Sequence, residues 1–317
     1  MSKVVVTGAA GFLGSHLCKE LVRQKHEVIG LDNMCTGQLA NIQPLLEDDR
    51  FTFVHADVSS PDVLFNTELR EVEQIYHLAS PASPRFYQAM ALETIAVNTN
   101  GTKTMLELAK AWNAKMVYTS TSEIYGDPLV HPQSEDYRGN VATLGPRACY
   151  DEAKRMGEVY CYEYYRLYRV PVKIARLFNT YSAGLRNDDG RVISNFVTQA
   201  LCGKELTVYG DGSQTRSFCY VDDTIRGLQL LMQCDEANGE AVNLGNPEEC
   251  SINTLANLII KLTGSVSGIT YHPLPADDPK VRRPVIEKAR ALLGWQPEVT
   301  LEQGLTLTIE NYRRQMH

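Results

Sequence analysis

A doubly wound α/β fold around a parallel central sheet is the architecture this sequence predicts, and three observations predict it. A β-branched strand opens the chain and runs directly into a glycine-rich turn, an amphipathic helix follows at once, and short apolar strands then alternate with helical segments. Lys3-Val4-Val5-Val6-Thr7 is the first strand. The turn Gly8-Ala9-Ala10-Gly11-Phe12-Leu13-Gly14 leads into a helix with Leu13, Leu17, Leu21 and Val22 at helical spacing. The second strand, Glu27-Val28-Ile29-Gly30-Leu31, ends at Asp32. Further strands are predicted at Phe51–Val54, Gln74–His77, Lys115–Tyr118 and Val172–Arg176, with helices near 92–113 and 148–168. Strands separated by helices imply parallel neighbours and right-handed crossovers. Past residue 178 the pattern is less regular, which suggests a main domain over 1–178 and a smaller C-terminal lobe over 179–317, some of whose segments return to the main domain.

Composition bounds the function without fixing it. The chain has 317 residues, 44% of them hydrophobic and 22% charged, and a formal net charge of -7. That sign disfavours nucleic acid as a partner, because phosphate backbones attract basic surfaces. No apolar run approaches the ~20 residues that span a bilayer. The 8 Cys stand singly, with no spacing that resembles a metal site, and no signal peptide is visible. A soluble, cytoplasmic protein with reduced thiols and no metal is expected.

Strand, glycine turn and helix together make a dinucleotide-binding first unit. Gly8 suits the tight turn, Gly11 lets backbone approach a pyrophosphate, and Gly14 allows close helix packing, with the helix N-terminus facing the phosphates. Asp32 is placed to accept bonds from both ribose hydroxyls and would repel a 2′-phosphate, so NAD is expected rather than NADP. Asp57 and Val58, after the third strand, are placed to contact an adenine ring.

Polar residues crowd the carboxyl end of the fifth strand, Thr119-Ser120-Thr121-Ser122-Glu123, where parallel sheets bind ligands. Downstream, Tyr150 and Lys154 lie four apart, on one face of a helix. A nearby ammonium favours phenolate and so prepares Tyr150 as a base for removing an alcohol proton. With 16 Tyr in the chain, a Tyr-x-x-x-Lys arises readily by chance. Its position after the glycine turn and the Ser/Thr-rich strand end is what gives it meaning.

This combination resembles the extended short-chain dehydrogenase/reductase superfamily, a Rossmann-type fold with a substrate-binding lobe. The resemblance implies Thr121, Tyr150 and Lys154 as the catalytic set, and Asn98 as a structural or relay residue. Longer strings narrow it: His77 to Pro84, Thr119 to Pro128, His131 to Glu135, Gly145 to Tyr150, Asp189 to Phe196, Thr207 to Phe218 and Asn243 to Glu249 resemble the UDP-glucuronate decarboxylases. For that family the implied chemistry is oxidation at C4 of the sugar, loss of carbon dioxide from the β-keto acid, protonation at C5 and re-reduction at C4. Glu123 is implied in the middle steps, with Thr121 or Ser122 beside it. The similar 4,6-dehydratases usually carry Asp at the Ser122 position, and a Ser is a poor acid for their 6-hydroxyl.

The same resemblance completes the ligand contacts. The dinucleotide would meet Phe12, Leu13, Asn33, Leu78, Ala79, Thr180 and Arg191 besides the residues already named. The nucleotide sugar would meet Asn179, Ile193, Ser194, Asn195, Thr207 and Tyr209, with Arg216 and Arg282 as diphosphate clamps. Helices 92–113 and 148–168 would pair across a two-fold axis as a four-helix bundle, making a homodimer.

The chain departs from that family at Ala96, where Lys is usual, at Ser182-Ala183-Gly184, where Gly-Pro-Arg is usual, and at Val285, where Asp is usual. Arg186 or Arg85 is the expected substitute for the missing cations. Other readings that the residues leave open are a related 4-epimerase, 4-oxidase or 4,6-dehydratase, and a non-catalytic NAD-binding sensor or scaffold.

Overall fold

Seven parallel strands form the central sheet, in a computed structural model that describes residues 1–185, 189–273 and 281–316. They are β1 (Lys3–Thr7), β2 (Glu27–Asp32), β3 (Phe51–His55), β4 (Gln74–His77), β5 (Lys115–Thr121), β6 (Val172–Leu177) and the strand Ala241–Leu244. Their spatial order is Ala241–Leu244, β6, β5, β4, β1, β2, β3. The order reverses between β1 and β4, and the crevice at such a reversal is where doubly wound sheets bind ligands.

The sheet is buried on both faces. Val4 and Val6 of β1 point into one apolar layer and Val5 into the other, as the period of two requires. On the first face pack helix α1 (Phe12–Arg23), through Leu17 and Leu21, and the helix Val221–Gln233, through Leu228 and Leu231. On the second lie Met105 and Leu106 of the helix Thr102–Trp112 and Cys161 and Tyr164 of the helix Ala148–Tyr168.

Two elements differ from expectation. β5 continues to Thr121 rather than ending near Tyr118, because its polar end keeps a parallel ladder with β6, Thr121 lying opposite Leu177. The single helix expected over 92–113 is broken by a π turn at Val97–Gly101 between Ala91–Ala96 and Thr102–Trp112. Asn98, fully buried in that turn, donates from Nδ2 to Thr94 O and to Ser80 Oγ, both at 2.9 Å, and Thr102 Oγ1 donates to Asn98 O at 2.7 Å. Side-chain bonds of this kind supply partners where the helical ladder widens.

Beyond β6 the chain mixes lobe and sheet. Leu206–Tyr209 pairs in parallel with Ile269–His272, and Thr215–Ser217 pairs antiparallel with Glu249–Ser251, while Ala241–Leu244 returns to the edge of the main sheet beside β6. Helices Val192–Leu201 and Ile252–Thr263 pack behind the small strands. No helix among the described residues is long and apolar enough to cross a membrane.

Candidate active site

One cavity of about 830 Å³ runs across the carboxyl ends of the strands, from the glycine turn to the small lobe. Every residue named above as facing cofactor or substrate lines it, as do Ala96, Gly184 and Arg85. Arg186 lies outside the described residues.

The first end is made of backbone. Gly8 has φ +70 and Gly11 N donates to Gly8 O at 3.0 Å, folding the turn back over the start of α1. A Cβ on Gly14 would stand 2.0 Å from Gly8 O, so only glycine lets the helix begin this close to the strand. Thr7 Oγ1 accepts from Leu78 N and Ala79 N, both at 3.1 Å, and bonds His77 Nδ1 at 2.7 Å, which pins the ends of β1 and β4 together beneath the crevice. His77 is driven down to about 3 by burial, so this pin is a neutral imidazole.

Asp32 closes β2 with one oxygen accepting from Ala10 N at 2.9 Å and the other from Met34 N at 2.7 Å. A carboxylate has about four acceptor sites, so capacity remains for two ribose hydroxyls. Burial raises its pKa, and the two backbone bonds oppose that. Asn33 Nδ2 donates to Asp57 Oδ2 at 3.1 Å and steadies the neighbouring rim. The glycine cradle, the first N–H groups of α1 and this carboxylate together fit NAD.

At the centre, the helix Ala148–Tyr168 carries Tyr150 and Lys154 against the end of β5. Lys154 Nζ donates to Thr119 O at 2.8 Å and lies 5.9 Å from the centre of the Tyr150 ring. The Thr121 hydroxyl hydrogen-bonds the Tyr150 phenol. One expectation is corrected here. Burial raises the Tyr150 phenol, outweighing the Thr121 bond and the Arg191 charge, while burial pushes Lys154 down to about 7. In the protein alone desolvation wins over the ammonium, because both groups are almost fully enclosed.

The sugar end is made of ion pairs. Glu123, in the short turn Ser122–Tyr125 after β5, is held between two guanidiniums. Arg282 Nη1 donates to Glu123 Oε1 at 3.0 Å and to Ser122 Oγ at 3.1 Å, and its Nη2 donates to Gly126 O at 2.9 Å. Arg147 Nη2 donates to the other Glu123 oxygen. Burial alone would raise the Glu123 pKa, but Arg282 and then Arg147 more than reverse it, leaving an ionised carboxylate. Arg282, expected as a diphosphate clamp, lines the cavity, but it is only 2% exposed and both its Nη nitrogens are already engaged by Glu123, Ser122 and Gly126. Arg147 also approaches Asp151 at 3.8 Å, and burial followed by the Glu123 charge raises Asp151 to about 7.

At the far end Arg216 lines the cavity and donates to Thr215 O at 2.8 Å. Thr207 accepts from Gln199 Nε2 at 2.9 Å, and the exposed ring of Tyr209 lies 6.0 Å from that of His272. Ile193, Ser194 and Asn195 sit on the first turn of Val192–Leu201, Arg191 Nε pairs with Asp189 Oδ1 at 2.9 Å, and Thr180 bonds Thr224 at 3.0 Å.

Arg147 and Tyr87, both beside Tyr150, are cavity residues that the sequence reading does not single out. Arg147 stands within a string that carried the resemblance, three residues before Tyr150, and its spacing was the available signal. Tyr87, whose ring stacks on that of Tyr150 with centroids 5.0 Å apart, gave none.

Known proteins resemble this chain in sequence and in fold. The profile of the NAD dependent epimerase/dehydratase family matches residues 4–245. UDP-glucuronic acid decarboxylase 1 of Danio rerio is 49% identical over 99% of this chain and 73% of its own length. UDP-glucuronic acid decarboxylase 6 of Arabidopsis thaliana is 47% identical over 98% of this chain and 89% of its own. Among solved structures, a UDP-glucuronic acid 4-epimerase from Bacillus cereus, in complex with UDP-glucuronic acid and NAD, superimposes with TM-score 0.88 at 32% identity, covering 99% of this chain and 100% of its own.

Proposed function

The chain belongs to the NAD dependent epimerase/dehydratase family, and from that premise we propose that it is a UDP-glucuronate decarboxylase, forming UDP-xylose through a 4-keto intermediate. The observation that carries this is the Ser122-Glu123 pair beside Tyr150, with Glu123 held as an anion by two guanidiniums. A 4,6-dehydratase needs an acid next to the 6-hydroxyl, and Ser122 offers none. The relatives that are 49% and 47% identical to this chain over almost its whole length bear decarboxylase names.

The chemistry that NAD supplies at this site is reversible hydride acceptance at C4 of the sugar, so no outside oxidant is consumed. Tyr150, a phenol in the protein alone, would be favoured as phenolate once the positive nicotinamide of NAD is bound beside it and Thr121. It then takes the C4 hydroxyl proton during oxidation and returns a proton to O4 during reduction, with Lys154 packed on the same face. Between these steps the C5–C6 bond breaks, its electron pair passes into the C4 enolate and carbon dioxide leaves, and C5 then takes up a proton drawn from solvent, the one proton that each turnover consumes. Glu123 is ionised and therefore poorly suited to donate that proton. Its role is to orient the sugar and to keep Arg282 and Arg147 neutralised. The nucleotide rests on the small lobe, near Thr207, Tyr209 and Arg216, in a division of labour between an NAD-binding part over 1–178 and a nucleotide-sugar lobe over 179–317.

A cytoplasmic homodimer completes the proposal. Leu92 and Ile95 on one helix and Met156, Val159 and Tyr162 on its neighbour are exposed apolar side chains, the kind of surface that a two-fold four-helix bundle covers. Sedimentation as a 35.4 kDa species at micromolar concentration would overturn that assembly. The activity itself is tested by supplying UDP-glucuronate and NAD and weighing the nucleotide product. Carbon dioxide with UDP-xylose is expected, whereas an isobaric epimer without gas release refutes the assignment.

A further inference from the structure

Most polar groups at the sugar end of the cavity answer one another. Both Arg282 Nη nitrogens and Arg147 are engaged by Glu123 and its surroundings. One neutral donor does not fit this pattern. Tyr87, on the short helix Pro84–Ala89, is 1% exposed and lines the cavity, yet its hydroxyl is a buried polar atom with no hydrogen-bond partner among the described residues. Buried hydroxyls in native proteins are nearly always satisfied, and one that borders a cavity finds its partner in what binds there. The ring is held in place, lying parallel to that of Tyr150 within 6° at 5.0 Å between centroids.

We propose that Tyr87 contacts substrate and donates its phenolic hydrogen bond to the C6 carboxylate of the uronic acid, as a neutral anchor for the group that leaves as carbon dioxide. The proposal rests on the decarboxylase reading of the same site. Position supports it. Tyr150 is assigned to O4, C6 is attached to the carbon next to C4, and Tyr87 is the ring stacked directly on Tyr150. Its charged neighbours are Arg147, Glu123 and Asp151, the cluster at the sugar end. Burial raises the phenol of Tyr87, so it stays protonated and can donate.

The chemistry explains why the anchor is neutral. When the C5–C6 bond breaks, the charge on the carboxylate passes into the C4 enolate. A cation clasped to the carboxylate would stabilise the ground state more than the transition state and so slow the loss of carbon dioxide. Ala96 and Gly184 on the cavity wall carry no charge, and the guanidiniums of Arg282 and Arg147, next to Ser122 and Tyr150, are engaged by Glu123. A phenol holds the carboxylate in place while leaving its charge free to move.

The test is a double-mutant cycle read by calorimetry on NADH-loaded protein. Tyr87→Phe keeps the stacked ring and removes the donor, and UDP-xylose is the ligand that lacks only the carboxylate. Tyr87→Phe is expected to weaken UDP-glucuronate binding about tenfold, the usual worth of a hydrogen bond to a charged group, and to leave UDP-xylose unchanged. Equal weakening of both ligands, or of neither, overturns the assignment and makes Tyr87 a packing residue. The wild-type protein run alongside separates the two claims. If it releases carbon dioxide from UDP-glucuronate while Tyr87→Phe binds both ligands normally, Tyr87 alone was misassigned. If the wild type releases none, the decarboxylase reading falls and the anchor falls with it.

Discussion

The two ends of the cavity are built from different materials. At the dinucleotide end the contacts come from backbone: a glycine turn, the first N–H groups of a helix, and one carboxylate already steadied by two amides. At the sugar end they come from side chains that neutralise one another, Arg282, Glu123, Arg147 and Asp151 in a row. Backbone sites are cheap to keep, because each group is satisfied by local geometry. A row of buried charges holds only while every member is present, since removing one strands its neighbours away from water.

The largest effect expected from this contrast is on stability. Glu123→Gln leaves Arg282, 2% exposed, and Arg147 without their shared carboxylate. A loss of about 3 kcal/mol is expected, typical of breaking a buried pair on one side. Urea unfolding reads it, and NAD affinity measured on the same variant should be unchanged because the glycine end is untouched. A midpoint equal to that of the wild type would show that water already screens the row.

The same contrast decides what the sequence disclosed. The dinucleotide end occupies one run from Lys3 to Asp32, so strand, turn, helix and carboxylate could be read in order. The sugar end gathers residues from 83–87, 121–123, 147–151 and 282, which no local spacing relates. Resemblance names both Glu123 and Arg282, but no local spacing joins residues so far apart, and their ion pair is visible only in the fold. The π turn at Val97–Gly101 was hidden for a different reason. The stretch from Asn98 to Thr104 has no apolar side chain from which a change of period could be read, and the buried bonds of Asn98 mark the break. Tyr87 was one tyrosine among 16 until the fold laid it on Tyr150.

A carboxylate at the other end should behave differently. Asp32→Asn keeps an acceptor for one of the two backbone amides and removes a charge with no buried cation depending on it. Stability should change little, while NAD affinity falls about tenfold through the lost ribose bonds. NADP affinity should rise, because the repulsion of the 2′-phosphate is gone. Fluorescence titration with both reduced cofactors checks this, and a variant that stays equally selective for NAD would place the selectivity elsewhere, with Asn33 next to be changed.

The smallest effect lies at the outer end of the charged row and shows only as a function of pH. Asp151 titrates near 7 in the folded protein, raised first by burial and then by the Glu123 charge, against an ordinary value of 3.8. Between those two values the folded chain holds a proton there that the unfolded chain has released, so this group makes the fold less stable as pH rises through the window. Above 7 both states have lost the proton and the whole penalty is present. Asp151→Asn removes it. The stability gained over the wild type should therefore be near zero at pH 4, grow up to about pH 7, and level off beyond. Paired urea unfolding curves at pH 4, 5.5, 7 and 8 measure that difference directly. A gain that does not vary with pH would mean that Arg147, 3.8 Å away, already holds Asp151 ionised, and the row would then be fully charged from end to end.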